Sequence, residues 1–116
     1  MLRSDCHVHL DRIGPPHRTD PPTLDEFKAY VAREGITLVC AIYERSETLE
    51  AFSETSGVEL VPFYWERRPA SPSVPSNAAG VKLHPYIEKY SLTASNVGKV
   101  LRVAAARGLI ARTAFT

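Results

Sequence analysis

The sequence predicts an α/β fold in which parallel strands alternate with helices, and three observations support this. The run Ile36–Tyr43 is almost continuously apolar and rich in β-branched residues, which is typical of a parallel strand covered on both faces. Thr23-Leu24-Asp25-Glu26 is a capping box that begins a helix. Gly35 and Gly57 end two helices just before strands are expected. This alternation predicts a parallel sheet with right-handed crossovers.

The elements follow one another along the whole chain. In order, they are strand Leu2–Leu10, loop Asp11–Pro22, a helix from Thr23 to Gly35, strand Ile36–Tyr43, a helix capped by Ser46 and ended by Gly57, strand Val58–Trp65, loop Glu66–Asn77, strand Ala79–His84, a helix capped by Thr93 or Ser95 and ended by Gly108, and strand Leu109–Thr116. The apolar face of the last helix is expected to be Val97, Val100, Leu101 and Ala104. Five such strands suit either an open doubly wound sheet or the first part of a (β/α)8 barrel.

Length and composition limit the classes of protein that the chain can represent. A complete barrel takes about 250 residues, so a chain of 116 residues is expected to be a single incomplete domain, 1–116. The net charge of +1 gives no electrostatic reason to expect nucleic acid or an anionic membrane as a partner. No apolar stretch has the length of a membrane span, and the N-terminus lacks the pattern of a signal peptide. Cys6 and Cys40 are expected to be reduced thiols of a cytoplasmic protein.

The first strand carries a candidate metal site. His7 and His9 are two residues apart, so their imidazoles point the same way and can converge on one ion beyond the strand end. Zinc, manganese or iron accepts such ligands. Asp5, expected on the same face, is predicted to hold a ring N–H of one ligand and fix its tautomer. The alternative is a pair of polar residues that serve only the structure of the strand end.

A second strand end carries another unusual pair of residues, Lys82 and His84, in Gly80-Val81-Lys82-Leu83-His84-Pro85. A lysine that points inward along a parallel strand is costly unless it is paired or neutralised. Lys82 is therefore expected to be desolvated and partly neutral, to pair with an anionic substrate, or to be carboxylated and bind metal. The alternative is a lysine at the exposed rim. His84 is a candidate metal ligand, substrate contact or structural histidine.

Other polar and aromatic residues give weaker signals. Arg67 and Arg68 follow the third strand and could grip a phosphate or carboxylate, although such a pair is usually only exposed charge. Tyr64 and Trp65 could line a pocket or simply pack. His17 is expected to be solvated in the first loop.

The two histidine motifs together resemble those of the amidohydrolase superfamily. An N-terminal strand ending Asp5-Cys6-His7-Val8-His9, followed by Gly80-Val81-Lys82-Leu83-His84-Pro85, is similar to the compact metal-dependent hydrolases with a TIM-barrel fold. The first motif is shared with the polymerase and histidinol phosphatase family of phosphoesterases. The second is similar to the Lys-Leu-Tyr-Pro segment of dihydroorotases, in which the lysine is carboxylated and bridges two metals. The resemblance implies that His7, His9 and Lys82 are metal ligands.

The same resemblance implies residues that this sequence does not contain. The family places histidines at the ends of strands five and six and an aspartate at strand eight. Here strand Leu109–Thr116 has no histidine, and Ala114 aligns with the family position. Three accounts are open: a truncated reading of a longer enzyme, a half-barrel completed by another chain, or a degenerate domain. The expected strand at the chain end favours truncation.

The expected function is that of the N-terminal part of a metal-dependent hydrolase, in which a metal-activated water attacks an amide, lactone or ester. The metal is a divalent ion, with zinc preferred and manganese or iron as alternatives. Asp5 orients a ligand, and His84 contacts the substrate. The expected partners are a small-molecule substrate and, through an open sheet edge, a second copy of the chain. The alternatives are a phosphoesterase and a non-catalytic half-barrel remnant that self-associates.

Overall fold

The computed structural model describes residues 3–11 and 20–113 and contains nine elements in that part of the chain. They are β1 (Arg3–His9), α1 (Leu24–Glu34), β2 (Ile36–Tyr43), α2 (Ser46–Ser56), β3 (Glu59–Trp65), β4 (Gly80–Leu83), α3 (Pro85–Glu88), α4 (Ala94–Arg107) and β5 (Ile110–Thr113). In this part of the chain, no helix has the length and apolar character needed to cross a bilayer.

The five strands form a sheet whose order is the order of the sequence, β1-β2-β3-β4-β5. The β1–β2, β3–β4 and β4–β5 pairs are all parallel. The predicted α/β fold with parallel strand-helix alternation is therefore confirmed. Doubly wound sheets reverse their strand order around a switch point, whereas barrel strands follow in sequence. The observed order is that of a partial (β/α)8 barrel of five strands.

The chain divides into two compact units, Met1–Pro62 and Phe63–Thr116. In the first unit, the predicted capping box is present, because the Thr23 side chain accepts from the Glu26 N–H and the Glu26 carboxylate accepts from the Thr23 N–H. Gly35 ends α1 at a left-handed φ of 64°. The rings of Phe27 and Phe52 pack at a centroid distance of 5.3 Å, which joins α1 to α2.

In the second unit, α4 packs on one face of β4. Val81 and Leu83 of β4 form a buried cluster with Val97 and Val100 of α4. Lys82 and His84 therefore belong to the opposite face of the strand, as the alternation predicts. One prediction for α4 is wrong, because Leu101 is 44% exposed rather than part of the buried face.

Several element boundaries differ from the predicted ones. Pro85 does not merely end β4: it occupies the first turn of the short helix α3, where its missing N–H costs nothing. Ser46 lies inside α2, and Arg45 is the N-cap without a side-chain hydrogen bond. The loop after β3 contains no helix or strand, as predicted. The last three residues of the predicted strand Leu109–Thr116 lie outside the described residues.

Candidate functional site

The end of β1 is shaped by an irregularity in its pairing with β2. Asp5 pairs with Val39 and Val8 pairs with Ala41, so β1 uses one residue more than β2 over this stretch. The Asp5 Oδ1 accepts the backbone N–H of His7 at 3.1 Å inside this irregular segment. Such β-bulges re-aim side chains and are common beside active sites. The simple alternation expected from Asp5 to His9 is therefore interrupted between Asp5 and Val8.

At this bulge, the two histidines converge through the same ring atom. The Nε2 of His7 lies 3.1 Å from the Nε2 of His9, and the ring centroids are 4.8 Å apart at an interplanar angle of 70°. Two imidazole nitrogens that bind one zinc ion in tetrahedral geometry at about 2.05 Å lie about 3.3 Å apart. The pair thus fits two ligand positions of one ion. His7 is exposed and His9 half-buried.

Asp5 is held in place from α1. The Tyr30 hydroxyl donates to Asp5 Oδ2 at 2.8 Å, while the other carboxylate oxygen accepts the His7 N–H. The hydrogen bond to Asp5 is the main reason that the pKa of Tyr30 is raised. Asp5 acts on His7 through the backbone in this arrangement. Its predicted hold on an imidazole N–H stays a prediction.

Asp11, two residues after β1, is a buried carboxylate that the sequence analysis did not single out. It is 4% exposed and accepts the backbone N–H groups of Glu44 and Arg45. Its Oδ1 also accepts from the Arg45 Nε at 3.1 Å. These bonds fasten the segment after β1 to the segment after β2. An aspartate at the point where a strand passes into a Pro-rich loop was the available signal.

The end of β4 carries a row of three side chains on neighbouring strands. Trp65 of β3 pairs with Lys82 of β4, and Lys82 pairs with Arg112 of β5. Residues paired in register project from the same face of a parallel sheet. The Lys82 Nζ lies 5.2 Å from the centroid of the Trp65 ring, a cation–π contact. We call Trp65, Lys82 and Arg112 the cationic row.

Lys82 is 2% exposed, so the alternative of a lysine at the exposed rim is wrong. The pKa of Lys82 is lowered to about 8. Burial is the larger cause, and the neighbouring guanidinium of Arg112 is the smaller one. A buried amine with a lowered pKa beside a second cation is typical of functional sites. The predicted metal-ligand role of Lys82 stays a prediction.

Trp65 also joins the cationic row to α3. Its indole Nε1 donates to Glu88 Oε1 at 2.7 Å, and the other Glu88 oxygen accepts from the Arg67 Nε at 3.1 Å. The Arg67 guanidinium carbon lies 5.7 Å from the Trp65 ring centroid. Arg67 therefore contacts the Glu88 carboxylate and the Trp65 ring, and Trp65 itself donates a hydrogen bond to Glu88.

Glu66 organises the irregular loop that follows β3. It is 2% exposed, and its carboxylate accepts the backbone N–H groups of Arg68 at 3.0 Å and Ser73 at 2.8 Å. Its own N–H donates to the Lys82 carbonyl at 3.1 Å. Glu66 thus ties the loop to the strand that carries Lys82, and sequence reasoning did not identify it.

His84 lies at the junction of β4 and α3. It is 5% exposed, and its ring centroid lies 6.2 Å from that of Trp65. His84 therefore lies beside the cationic row, and its predicted contact with a substrate remains a prediction. After α3, the pKa of Tyr90 is raised to about 12, mainly by burial and in addition by the charge of Glu88.

The structure brings together two groups of predicted residues, each within its own unit. His7 and His9 form one, with Asp5; Lys82, His84 and Trp65 belong to the other. Within residues 3–11 and 20–113, no cluster of three or more His, Cys, Asp or Glu side chains is arranged to hold a metal ion. His17 lies outside the described residues. Arg112 was missed, although a lone charge in an apolar strand is the same signal that singled out Lys82.

Comparison with known proteins adds no family assignment. No protein-family model, curated protein or solved structure matches the chain. The likeness to the amidohydrolase superfamily therefore rests on the two motifs alone.

Proposed function

We propose that the chain is the N-terminal part of a metal-dependent hydrolase that acts on an amide, lactone or ester of a small molecule. We further propose that it works in the cytoplasm with a divalent metal, zinc in preference to manganese or iron. The thiol of Cys40, which is not in a disulfide, is in keeping with a reducing compartment.

The observation that carries this proposal is the convergence of two imidazoles at the end of the first parallel strand. The Nε2 atoms of His7 and His9 lie 3.1 Å apart, close to the separation of two nitrogens on one zinc ion. In parallel α/β proteins, ligands bind at the carboxyl ends of the strands, which is where this pair lies. The β-bulge between Asp5 and Val8 is a further feature that occurs beside active sites.

Each residue of this strand end has a distinct role in the proposal. His7 and His9 would hold the metal through their Nε2 atoms, which lie 3.1 Å apart. A bound divalent metal lowers the pKa of water and polarises a carbonyl oxygen. Asp5 fixes the backbone of His7, and Tyr30 fixes Asp5. Lys82 and His84 are proposed to bind the substrate's anionic group or, for Lys82, to bind metal.

The metal site is tested by measuring zinc affinity and content in the purified, untagged chain. We expect one zinc ion per chain, and at least a tenfold loss of affinity in His7→Ala and in His9→Ala. Glu54→Ala, at an exposed position of α2 in the same unit, is the control and should bind zinc as wild type does. If wild type retains no more zinc than His7→Ala, the proposal fails.

The reaction class is tested by a substrate screen on the zinc-loaded chain and on His9→Ala. Hydrolysis of lactones, esters or amides that depends on His9 supports the proposed activity, whereas hydrolysis of phosphate esters alone supports a phosphoesterase. The phosphoesterase alternative was supported by the Arg67-Arg68 pair, which could grip a phosphate. That support is weakened because Arg67 is bonded to Glu88.

A non-catalytic, self-associating remnant remains the second candidate. β1 and β5 are the outer strands of the described sheet, and Ile110 of β5 is 60% exposed. An outer strand with an exposed apolar side chain can pair with a second copy of the chain. Light scattering tests this: Ile110→Lys should shift a dimer towards the monomer, whereas a chain that is monomeric at all concentrations contradicts self-association.

A further inference from the structure

The proposed substrate contacts at the end of β4 are enclosed by the protein. Lys82 and His84 are both almost fully buried. The ring of Trp65 lies beside both, with its centroid 5.2 Å from the Lys82 Nζ and 6.2 Å from the centroid of the His84 ring. A small molecule can therefore reach these side chains only if part of their enclosure moves.

The short helix α3 begins directly after His84, which is its N-cap. Its backbone hydrogen bonds include those from the Glu88 N–H to the His84 carbonyl at 3.0 Å and from the Tyr90 N–H to the Pro85 carbonyl at 3.1 Å. A single helical turn fixes several backbone dihedral angles for few hydrogen bonds, so it is marginal on its own. The position of α3 therefore depends on its contacts with the rest of the unit.

Glu88 fastens α3 to the end of β3. Its Oε1 accepts from the Trp65 Nε1 at 2.7 Å, and its Oε2 accepts from the Arg67 Nε at 3.1 Å. The Glu88 side chain is almost fully buried, and hydrogen bonds to a charged carboxylate are stronger than those between neutral groups. These two bonds, which we call the α3 latch, hold α3 against the same indole that lies beside Lys82 and His84.

Lys89, which follows α3, has the backbone conformation of a strained hinge. Within residues 3–11 and 20–113, it is the one non-glycine residue with a positive φ, at φ 56° and ψ 54°. This left-handed region is disfavoured for a residue with a Cβ. Hinges are residues at element ends that absorb changes in φ and ψ. Release of the latch would let Lys89 leave this region, which favours movement of α3 about this point.

We propose that α3 is a gate over Lys82 and His84, closed by the α3 latch and hinged at Lys89. Opening breaks both bonds of the latch and admits a small-molecule substrate to the side chains at the end of β4. The inference rests on the proposed function, because it takes Lys82 and His84 as the substrate contacts. It adds that access to them is controlled by a local opening of the chain.

The indole proton of Trp65 reports directly on the latch, because Trp65 is the only tryptophan in the sequence and its Nε1–H is one of the two latch donors. Hydrogen exchange of this proton is followed by nuclear magnetic resonance in the ¹⁵N-labelled full chain, together with exchange of the Val100 amide in the buried cluster of α4 and β4. We expect the indole proton to be protected, but at least tenfold less than the Val100 amide. Its exchange should not depend on low concentrations of urea, because a local opening exposes little surface.

Variants of the latch and of the hinge should change the protection of the indole proton in opposite directions. Glu88→Ala removes both latch bonds and should lower it at least tenfold, and Arg67→Gln removes one bond and should lower it about threefold. Lys89→Gly relieves the strain of the closed gate and should raise it about threefold. Glu54→Ala and Arg102→Gln, the matched controls at exposed positions, should leave it unchanged.

Access to His84 is measured by its modification with diethyl pyrocarbonate, located by mass spectrometry. Glu88→Ala should raise the rate at His84 at least tenfold, whereas the rate at His7, which is exposed in wild type, should stay the same. Circular dichroism checks that each variant is folded. The wild-type exchange and Arg67→Gln keep the test valid if Glu88→Ala is not.

The gate is overturned if the indole proton exchanges only together with the Val100 amide and with the same dependence on urea. It is also overturned if breaking the latch leaves indole exchange unchanged, or if faster exchange brings no faster modification of His84. The hinge is rejected if Lys89→Gly does not raise the protection. Zinc affinity of wild type is measured separately: opening without zinc binding leaves the gate standing and rejects the metal site, and zinc binding with a fixed α3 does the reverse.

Discussion

The ends of β1 and β4 carry the same spacing of polar residues, yet they differ in their access to water. His7 is exposed and His9 half-buried, whereas Lys82 and His84 are almost fully buried. Imidazole is neutral or charged near neutral pH and tolerates solvent, so the first pair needs little support beyond Asp5. A buried ammonium is costly, and the ring of Trp65 lies beside both members of the second pair. The same sequence spacing thus places one pair of side chains at a solvent-accessible strand end and the other pair in the interior.

The segment after β1 and the loop after β3 are each secured by a buried carboxylate that accepts two backbone N–H groups. Glu66→Ala should lower the free energy of unfolding by about 3 to 5 kcal/mol, because it leaves the Arg68 and Ser73 N–H groups without their acceptor. Asp11→Ala should have an effect of the same order. Chemical denaturation measures both effects.

The matched control for the two anchors is Glu54→Ala on the exposed side of α2, which should change stability by no more than about 0.5 kcal/mol. A destabilisation by Glu66→Ala no larger than that of the control would mean that the loop after β3 does not depend on Glu66.

The pH dependence of stability also distinguishes the end of β4 from the end of β1. Because the pKa of Lys82 falls from 10.5 to about 8 on folding, the unfolded chain binds more protons between these values, and stability rises with pH across that window. Lys82→Met lacks this dependence. In chloride buffer it should exceed wild type at pH 7 by up to about 3 kcal/mol, with the gap closing towards pH 10.5.

Denaturation of wild type and Lys82→Met at half-unit steps from pH 7 to 10 provides the measurement. The difference between the two proteins cancels the titration of other groups, including Tyr90. Lys99→Met, which removes an exposed lysine, should show no such convergence. A gap between wild type and Lys82→Met that stays constant with pH would contradict the burial of a charged Lys82.

The smallest effect is expected at the end of β1. Tyr30→Phe removes the hydrogen bond to Asp5 and should cost about 1 kcal/mol, with a modest loss of zinc affinity because His7 is held less firmly. Tyr86→Phe, at a position that is 72% exposed, is the control and should change neither quantity. If Tyr30→Phe matches this control in both the free energy of unfolding and the zinc affinity, Tyr30 does not support the end of β1.

The contrast between the two strand ends also explains which parts of the fold could be predicted from the sequence. Hydrophobic periodicity predicted all five strands and three of the helices, and the Thr23 capping box and the glycine stops located helix ends. The short helix α3 was missed because Pro85 was taken only as a strand stop. The β-bulge between Asp5 and Val8 was missed because a hydrophobic pattern carries no information about register.

Within the candidate site, contacts between residues of one strand could be predicted from the sequence, whereas contacts between different elements could not. The His7–His9 convergence follows from spacing on one strand, which the sequence contains. The contacts of Tyr30 with Asp5 and of Arg112 with Lys82 join residues far apart in the chain, so they depend on which elements become neighbours. Burial of Lys82 likewise depends on the aromatic residues of β3.

The central claim is that His7 and His9 bind one metal ion through their Nε2 atoms. Nuclear magnetic resonance of the ¹⁵N-labelled chain, with and without one equivalent of zinc, tests it most directly by reporting each ring nitrogen separately. The account predicts that zinc shifts the Nε2 resonances of His7 and His9 together and leaves those of His84 in place. Shifts at Nδ1, at only one of the two rings, or at neither ring would contradict it.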